Sequence, residues 1–175
     1  RRRIVVHARR VNIEHLLAEG KTQQALDFLD AQSSLSDKEQ VLRIQLLMAL
    51  SEFDQASEQI AALPEDLRSS DSVRPLLATL HIAQELDAVD LDEEAIKKQR
   101  DANPDDPGTL YQMALCYIVK HQSEQAMDCL LACIACDSEW KEGAAKTLLL
   151  DLFETIRSEE TLVKEYRKKL YRLLH

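Results

Sequence analysis

The chain has 175 residues, 45% of them apolar, enough for one medium core or one short array of repeats and far too much for a disordered tail. Its 22 Lys and Arg against 31 Asp and Glu leave a formal net charge of -9, which repels a phosphate backbone and argues against general nucleic-acid binding. No apolar run approaches the roughly 18 to 20 residues of a membrane span; 46–50 and 129–136 are among the candidates and both fall far short.

With only three glycines (Gly20, Gly108, Gly143) and four prolines among many Ala, Leu, Glu, Gln and Lys, the chain is expected to be nearly all helix. Residues 4–19 predict a first helix ended by Gly20, and residues 22–31 a second that turns Ala25, Leu26 and Leu29 inward. Residues 37–50 and 53–63 form the next pair, stopped by Pro64, with Ala56 as the small contact residue; Ala25 and Ala56 lie 31 apart (56 minus 25). Residues 75–86 and 93–102 form a third pair, the most degenerate, with Asp92 where a small residue is expected, stopped by Asn103-Pro104. A fourth pair spans 107–140, and residues 140–156 and 159–174 form a last pair, with Leu162, Val163, Tyr166, Leu170 and Leu173 on one face of the final helix. About ten helices result, with no strand alternation and no Gly/Ser-rich linker.

The fourth pair, PGTLYQMALCYIVKHQSEQAMDCLLACIACDSEW, is the clearest. Leu110, Met113, Ala114 and Tyr117 share one side of its first helix, and Ala126, Leu130 and Cys133 one side of its second, so two stripes can close across a hinge at His121-Gln122-Ser123. This pattern resembles the tetratricopeptide (TPR) repeat, a helix-turn-helix of about 34 residues with bulky, small and aromatic residues at fixed offsets and a closing proline. Here Leu110 stands for the tryptophan and Ser138 for the proline, and Pro104 falls one repeat earlier; LLAEGKTQQAL near the start resembles the turn of such a repeat. The expected fold is all-α: a TPR-like helical-hairpin solenoid in one domain, with degenerate repeats at about 4–36, 37–70, 73–106 and 107–140 and a capping pair at 141–175.

The tail narrows the resemblance. Trp140-Lys141-Glu142-Gly143-Ala144-Ala145-Lys146, then 148–153, then Glu165-Tyr166-Arg167-Lys168-Lys169-Leu170 follow at short spacing. The order is similar to the C-terminal TPR region of bacterial thioredoxin-like co-chaperones of the chaperedoxin type. That resemblance implies holding of unfolded clients, hand-over to folding chaperones including the chaperonin, a cytoplasmic location, and a thioredoxin-fold domain that this chain lacks. Since the chain begins at Arg1 without a methionine or signal-peptide segment, it is expected to be a fragment.

Cysteine offers the main chance of chemistry. Cys129, Cys133 and Cys136 share a helical face, and Cys133-Ile134-Ala135-Cys136 has redox or metal spacing. All four cysteines, Cys116 included, fall at apolar core positions of the repeat, where free cysteine acts as a small hydrophobe. A redox pair belongs at a helix N-terminus, where the dipole favours the thiolate, and this pair sits in last turns; the spacing leaves a tetrahedral zinc site open. His7, His15, His81, His121 and His175 are scattered, the glycines are isolated, and the carboxylates (Glu14, Asp54, Glu58, Glu93 and Glu94 among them) spread over polar faces. No catalytic constellation emerges, and neither enzymatic activity nor a cofactor or metal is expected.

Two surfaces remain as candidates. First helices of TPR pairs line a concave groove, placing Val41, Gln45, Leu77, His81, Tyr111 and Leu115 there, a mostly apolar set suited to extended segments of a client or to the missing neighbouring domain; packing between repeats is the other reading. The clamp that grips acidic chaperone tails needs Lys, Asn and Arg, and the first pair offers Arg10 and Glu14. Basic residues gather at Arg1, Arg2, Arg3, Arg9 and Arg10, and again on the final helix at Lys164, Arg167, Lys168, Lys169 and Arg172, with Glu165 the one acid between them. The final-helix set either compensates the helix dipole or docks an acidic patch. The expected function is a protein-protein contact module, with a generic scaffold for a defined peptide and a cysteine-based redox or metal protein as alternatives.

Overall fold

A computed structural model describes residues 12–175, and no strand occurs among them. The expected helix over 4–19 is described only at 12–18 (α1); its start, with His7 and the basic cluster at Arg1 to Arg10, lies outside the described residues. The chain divides into two compact units, the first ending at Leu77 and the second starting at Ala78.

The first unit holds α1, α2 (Thr22–Asp30), α3 (Asp37–Ala49), α4 (Phe53–Ala61) and the single turn α5 (Glu65–Arg68). Ala25, Leu26 and Leu29 give α2 one buried stripe, and α3, packed on both α2 and α4, buries Val41, Ile44, Leu46 and Leu47. Ala25 and Ala56 are wholly buried, small enough to let neighbouring backbones approach. Ser36 and Glu39 close a reciprocal capping box at the start of α3, satisfying donors the helix cannot. Sequence periodicity had no place for α5. Pro64 stops α4 and, as N-cap with φ -54°, already presents the dihedral from which a new turn can start.

The second unit contains α6 (Arg74–Asp87) from Ala78 onward, then α7 (Glu93–Ala102), α8 (Pro107–Val119), α9 (Ser123–Cys136), α10 (Ala144–Thr155) and α11 (Glu160–Leu174). Asp106 caps α8 by accepting from the Thr109 amide at 2.7 Å, with Pro107 next in line where its missing N–H costs nothing. Ala114 of α8 and Ala126 of α9 have no exposed surface, so these helices meet at their small residues. α9 also packs on α10 and α11, and α7 on α8. One continuous core results, with Leu130, Leu148, Leu149, Phe153 and Tyr166 fully enclosed.

Three hairpin turns repeat one backbone device. Gly20, Ser51 and His121 stand at φ 71°, 63° and 56° after α1, α3 and α8. In each turn the following amide reaches back to a carbonyl five residues earlier: Lys21 to Leu16, Glu52 to Leu47 and Gln122 to Tyr117, each at 2.9 Å. This is the Schellman closure, which spends a left-handed residue to satisfy an orphan carbonyl.

Three expectations need correction. Residues 140–156 are not one helix: Trp140–Gly143 is a 3-10 turn in which Lys141, Glu142 and Gly143 take φ 44°, 57° and 80°, and α10 starts only at Ala144. Asp92 is not a helix contact but the N-cap of α7, accepting from the Glu94 and Ala95 amides at 3.1 Å, a role that suits a short carboxylate. Of the four cysteines only Cys129 and Cys133 are buried, whereas Cys116 is half-buried and Cys136 exposed. Cys136 keeps the face of Cys133 but lies in the final turn of α9 beside an open cleft, lined also by Leu173 and Leu174.

Candidate functional site

First helices of the second unit's pairs meet through polar side chains. His81 and Glu85 stand one turn apart on α6, Tyr111 on α8 and Asp151 on α10. His81 Nδ1 bonds the Asp151 carboxylate, while its Nε2 faces Glu85 at 3.6 Å. The Tyr111 hydroxyl donates to Glu85 at 2.7 Å, and the Tyr111 ring lies 5.1 Å from that of Trp140, which the turn before α10 delivers. Burial, then the hydrogen bond and charge of Glu85, push the Tyr111 phenol well above its ordinary range. Burial also pushes the Asp151 carboxyl up, opposed by the bond to His81 and reinforced by the charges of Glu154 and Glu85. Two carboxylates, one phenol and one imidazole thus form a polar path over three helices, hydrogen-bonded from Tyr111 to Glu85 and from His81 to Asp151 and joined between Glu85 and His81 by the 3.6 Å contact.

The six groove candidates fare differently. Val41, Tyr111 and Leu115 are buried, so their side chains pack within their own units, while Gln45 and Leu77 are exposed and His81 half-exposed. His81 and Tyr111 are the two brought together, and what they form is polar. Sequence reasoning missed Glu85, Asp151 and Trp140. Glu85 was findable, since it follows His81 at i+4 on the same face; Asp151, 70 residues from His81, carries no local signal.

On α11 the basic residues are less free than their number suggests. Lys164 pairs with Glu160 at 3.0 Å and Lys169 with Glu165 at 2.9 Å, and Lys169 also sits 3.9 Å over the Tyr166 ring. Arg167 lies over the Phe153 ring of α10 at 5.5 Å and 3.9 Å from Glu154. Lys168 and Arg172 have no ion-pair partner among the described residues. They share a face with Tyr171, 65% exposed and stacked on His175 at 4.4 Å.

The thiols sit in environments that suppress the thiolate. Burial raises Cys129, and raises Cys133 to about 11, with the charges of Cys136 and Asp137 adding to the latter. Cys133 donates to the Pro107 carbonyl at 3.3 Å. Among the described residues no group of three or more His, Cys, Asp or Glu is arranged to hold a metal, and no helix is long and apolar enough to cross a membrane.

The family described as tetratricopeptide repeat matches residues 84–175. No curated protein matches the chain. Among solved structures, a domain of protein VP0806, of unknown function, from Vibrio parahaemolyticus RIMD 2210633 is 21% identical, with 97% of this chain and 99% of that chain covered and a TM-score of 0.43. The MamA RS-1 ArsTM double mutant is 17% identical, with 95% and 93% covered and a TM-score of 0.43.

Proposed function

Because the chain belongs to the tetratricopeptide repeat family, we propose that it is a protein-interaction module and, more narrowly, the TPR region of a bacterial, cytoplasmic thioredoxin-like co-chaperone that holds unfolded clients and docks on a folding chaperone. TPR domains are in general non-catalytic and bind proteins or peptides. The observation that carries the docking part is the outward face of α11. Lys168 and Arg172 stand there without ion-pair partners among the described residues, beside exposed Tyr171, in a chain of net charge -9. A cationic face with one large aromatic suits an acidic partner surface, because its charges steer encounter and its ring supplies contact area. The narrower identity rests on the resemblance of the tail from Trp140 to Leu170.

The test reverses only charges the fold does not use. Lys168→Glu with Arg172→Glu is expected to weaken binding to chaperonin and to an unfolded client, and to flatten the salt dependence of both. Unchanged affinities for both would remove the docking role of α11. A generic scaffold for one defined peptide is favoured by the polar path from Tyr111 to Asp151, which can discriminate partners in a way an apolar groove cannot. Binding of a single sequence by the isolated chain, with no capture of diverse unfolded proteins, would decide for that second reading.

A further inference from the structure

We propose that His81 is a proton-operated latch that ties α6 to α10 and, through Glu85 and Tyr111, sets how firmly the three first helices of the second unit are held together. The argument is a count of donors. A charged imidazolium donates from both ring nitrogens, so His81 can give one N–H to Asp151 and turn the other toward Glu85, and both carboxylates gain. A neutral ring keeps one N–H. Its other nitrogen becomes a lone pair, and whichever carboxylate it faces loses its donor and meets an acceptor instead. No rotation of a neutral ring avoids this, because carboxylates flank both nitrogens.

The two carboxylates do not lose equally. Glu85 retains the Tyr111 hydroxyl at 2.7 Å, so the α6 to α8 link survives loss of the proton. Asp151 has no such second donor among the described residues. It is half-buried, with Glu154 of its own helix and Glu85 of α6 as like charges nearby. The groups facing His81 are therefore Glu85 on α6, Asp151 with Glu154 behind it on α10, and the Tyr111 phenol on α8, with no basic group among the described residues acting on Asp151 other than His81. Proton loss leaves one N–H for two carboxylates and weakens the tie to α10. A ligand lying along the first helices spans α6 and α10, so binding there becomes sensitive to whether His81 carries its second proton.

The whole chain is used for the test, followed by NMR between pH 5.5 and 8. Amide shifts of α10 around Asp151 are expected to move with the same midpoint as the His81 ring signals. Exchange protection of those amides, corrected for the intrinsic rate, should fall about twofold to fivefold over that range, the span an ion pair of modest exposure commands. In His81→Gln this loss should vanish, while His15→Gln should retain it. A midpoint that follows the Asp151 carboxyl rather than the His81 ring, or α10 protection indifferent to pH in the unmodified chain, would overturn the latch. So would His81→Gln keeping the full pH dependence. The shift comparison needs no variant, so the proposal stays testable if a substitution fails to fold.

Discussion

The hydroxyl of Tyr166, a residue with no exposed surface, donates to the Asp128 carboxylate at 2.6 Å and so ties α11 to α9. The ring fills the core while the oxygen reaches its rim, and burial, then the Asp128 bond and charge, push the phenol far above its ordinary range. Tyr166→Phe keeps the ring and removes the bond, and should cost about 1 kcal/mol because the carboxylate it leaves is open to water. Tyr166→Ala should cost about 3 to 5 kcal/mol through the cavity it opens. Urea unfolding followed by circular dichroism separates the two; equal losses would mean that the hydroxyl, not the ring, holds α11.

Ala126→Phe should destabilise the second unit by about 1 to 3 kcal/mol, since a large ring at a contact with no exposed surface forces off-rotamer neighbours or a backbone shift. Thermal unfolding measures it. A neutral result would contradict the close approach of α8 and α9 at Ala114 and Ala126.

These alanines were legible in the sequence, as were most helix limits, because periodicity of apolar residues and their small interruptions act over neighbouring turns. Gly20, Pro64 and Pro104 marked ends by backbone chemistry alone. The turns at Ser51 and His121 were not legible, since neither residue advertises a left-handed conformation and only the bonds that close the hairpins impose it. The break after Trp140 was hidden for the same reason: Lys141 and Glu142 look helical and are held otherwise. Acid partners of the α11 cations were undercounted, because Glu154 comes from another helix. The candidate site needed the pairing of α6 with α10, which no spacing along the chain reveals.

His121→Gly should stabilise the α8 to α9 turn by about 0.5 to 1 kcal/mol, the strain of a left-handed non-glycine residue less the entropy glycine adds to the unfolded chain. Ser51→Gly should act alike in the first unit, where Gly20 already does this work. Midpoints of urea denaturation decide; loss of stability in both variants would show that their side chains contribute more than their backbones cost.

Asp106 supplies a pH signature of known sign. Its carboxyl is held below the ordinary range, first by the Thr109 hydroxyl and then by the Thr109 amide, both at 2.7 Å. A carboxylate lowered by folding stabilises the fold above its unfolded pKa, and that contribution is lost as pH falls through the lowered folded value. Asp106→Ala should therefore cost about 1 kcal/mol near neutrality, the ordinary loss of a cap, and progressively less at strongly acid pH. A penalty independent of pH would mean that the cap does not act through its charge.

Thiol titration tests the division of the cysteines directly. Cys136 is exposed in the last turn of α9, Cys116 is half-buried, and Cys129 and Cys133 lie in the core, the latter with its thiol raised to about 11 and donating to the Pro107 carbonyl. Reaction requires both access and thiolate, and the buried pair is short of each. In the native chain at mild alkaline pH, a disulfide reagent should therefore modify Cys136 first and Cys116 more slowly, with Cys129 and Cys133 reacting only on unfolding. Cys136→Ser should remove the fast phase without changing the unfolding midpoint, whereas Cys133→Ser places a hydroxyl in a site with one carbonyl acceptor and should lower that midpoint. Fast native reaction of Cys133 would show that this end of α9 opens from the core, and would return the Cys133 and Cys136 pair to consideration as a thiol switch.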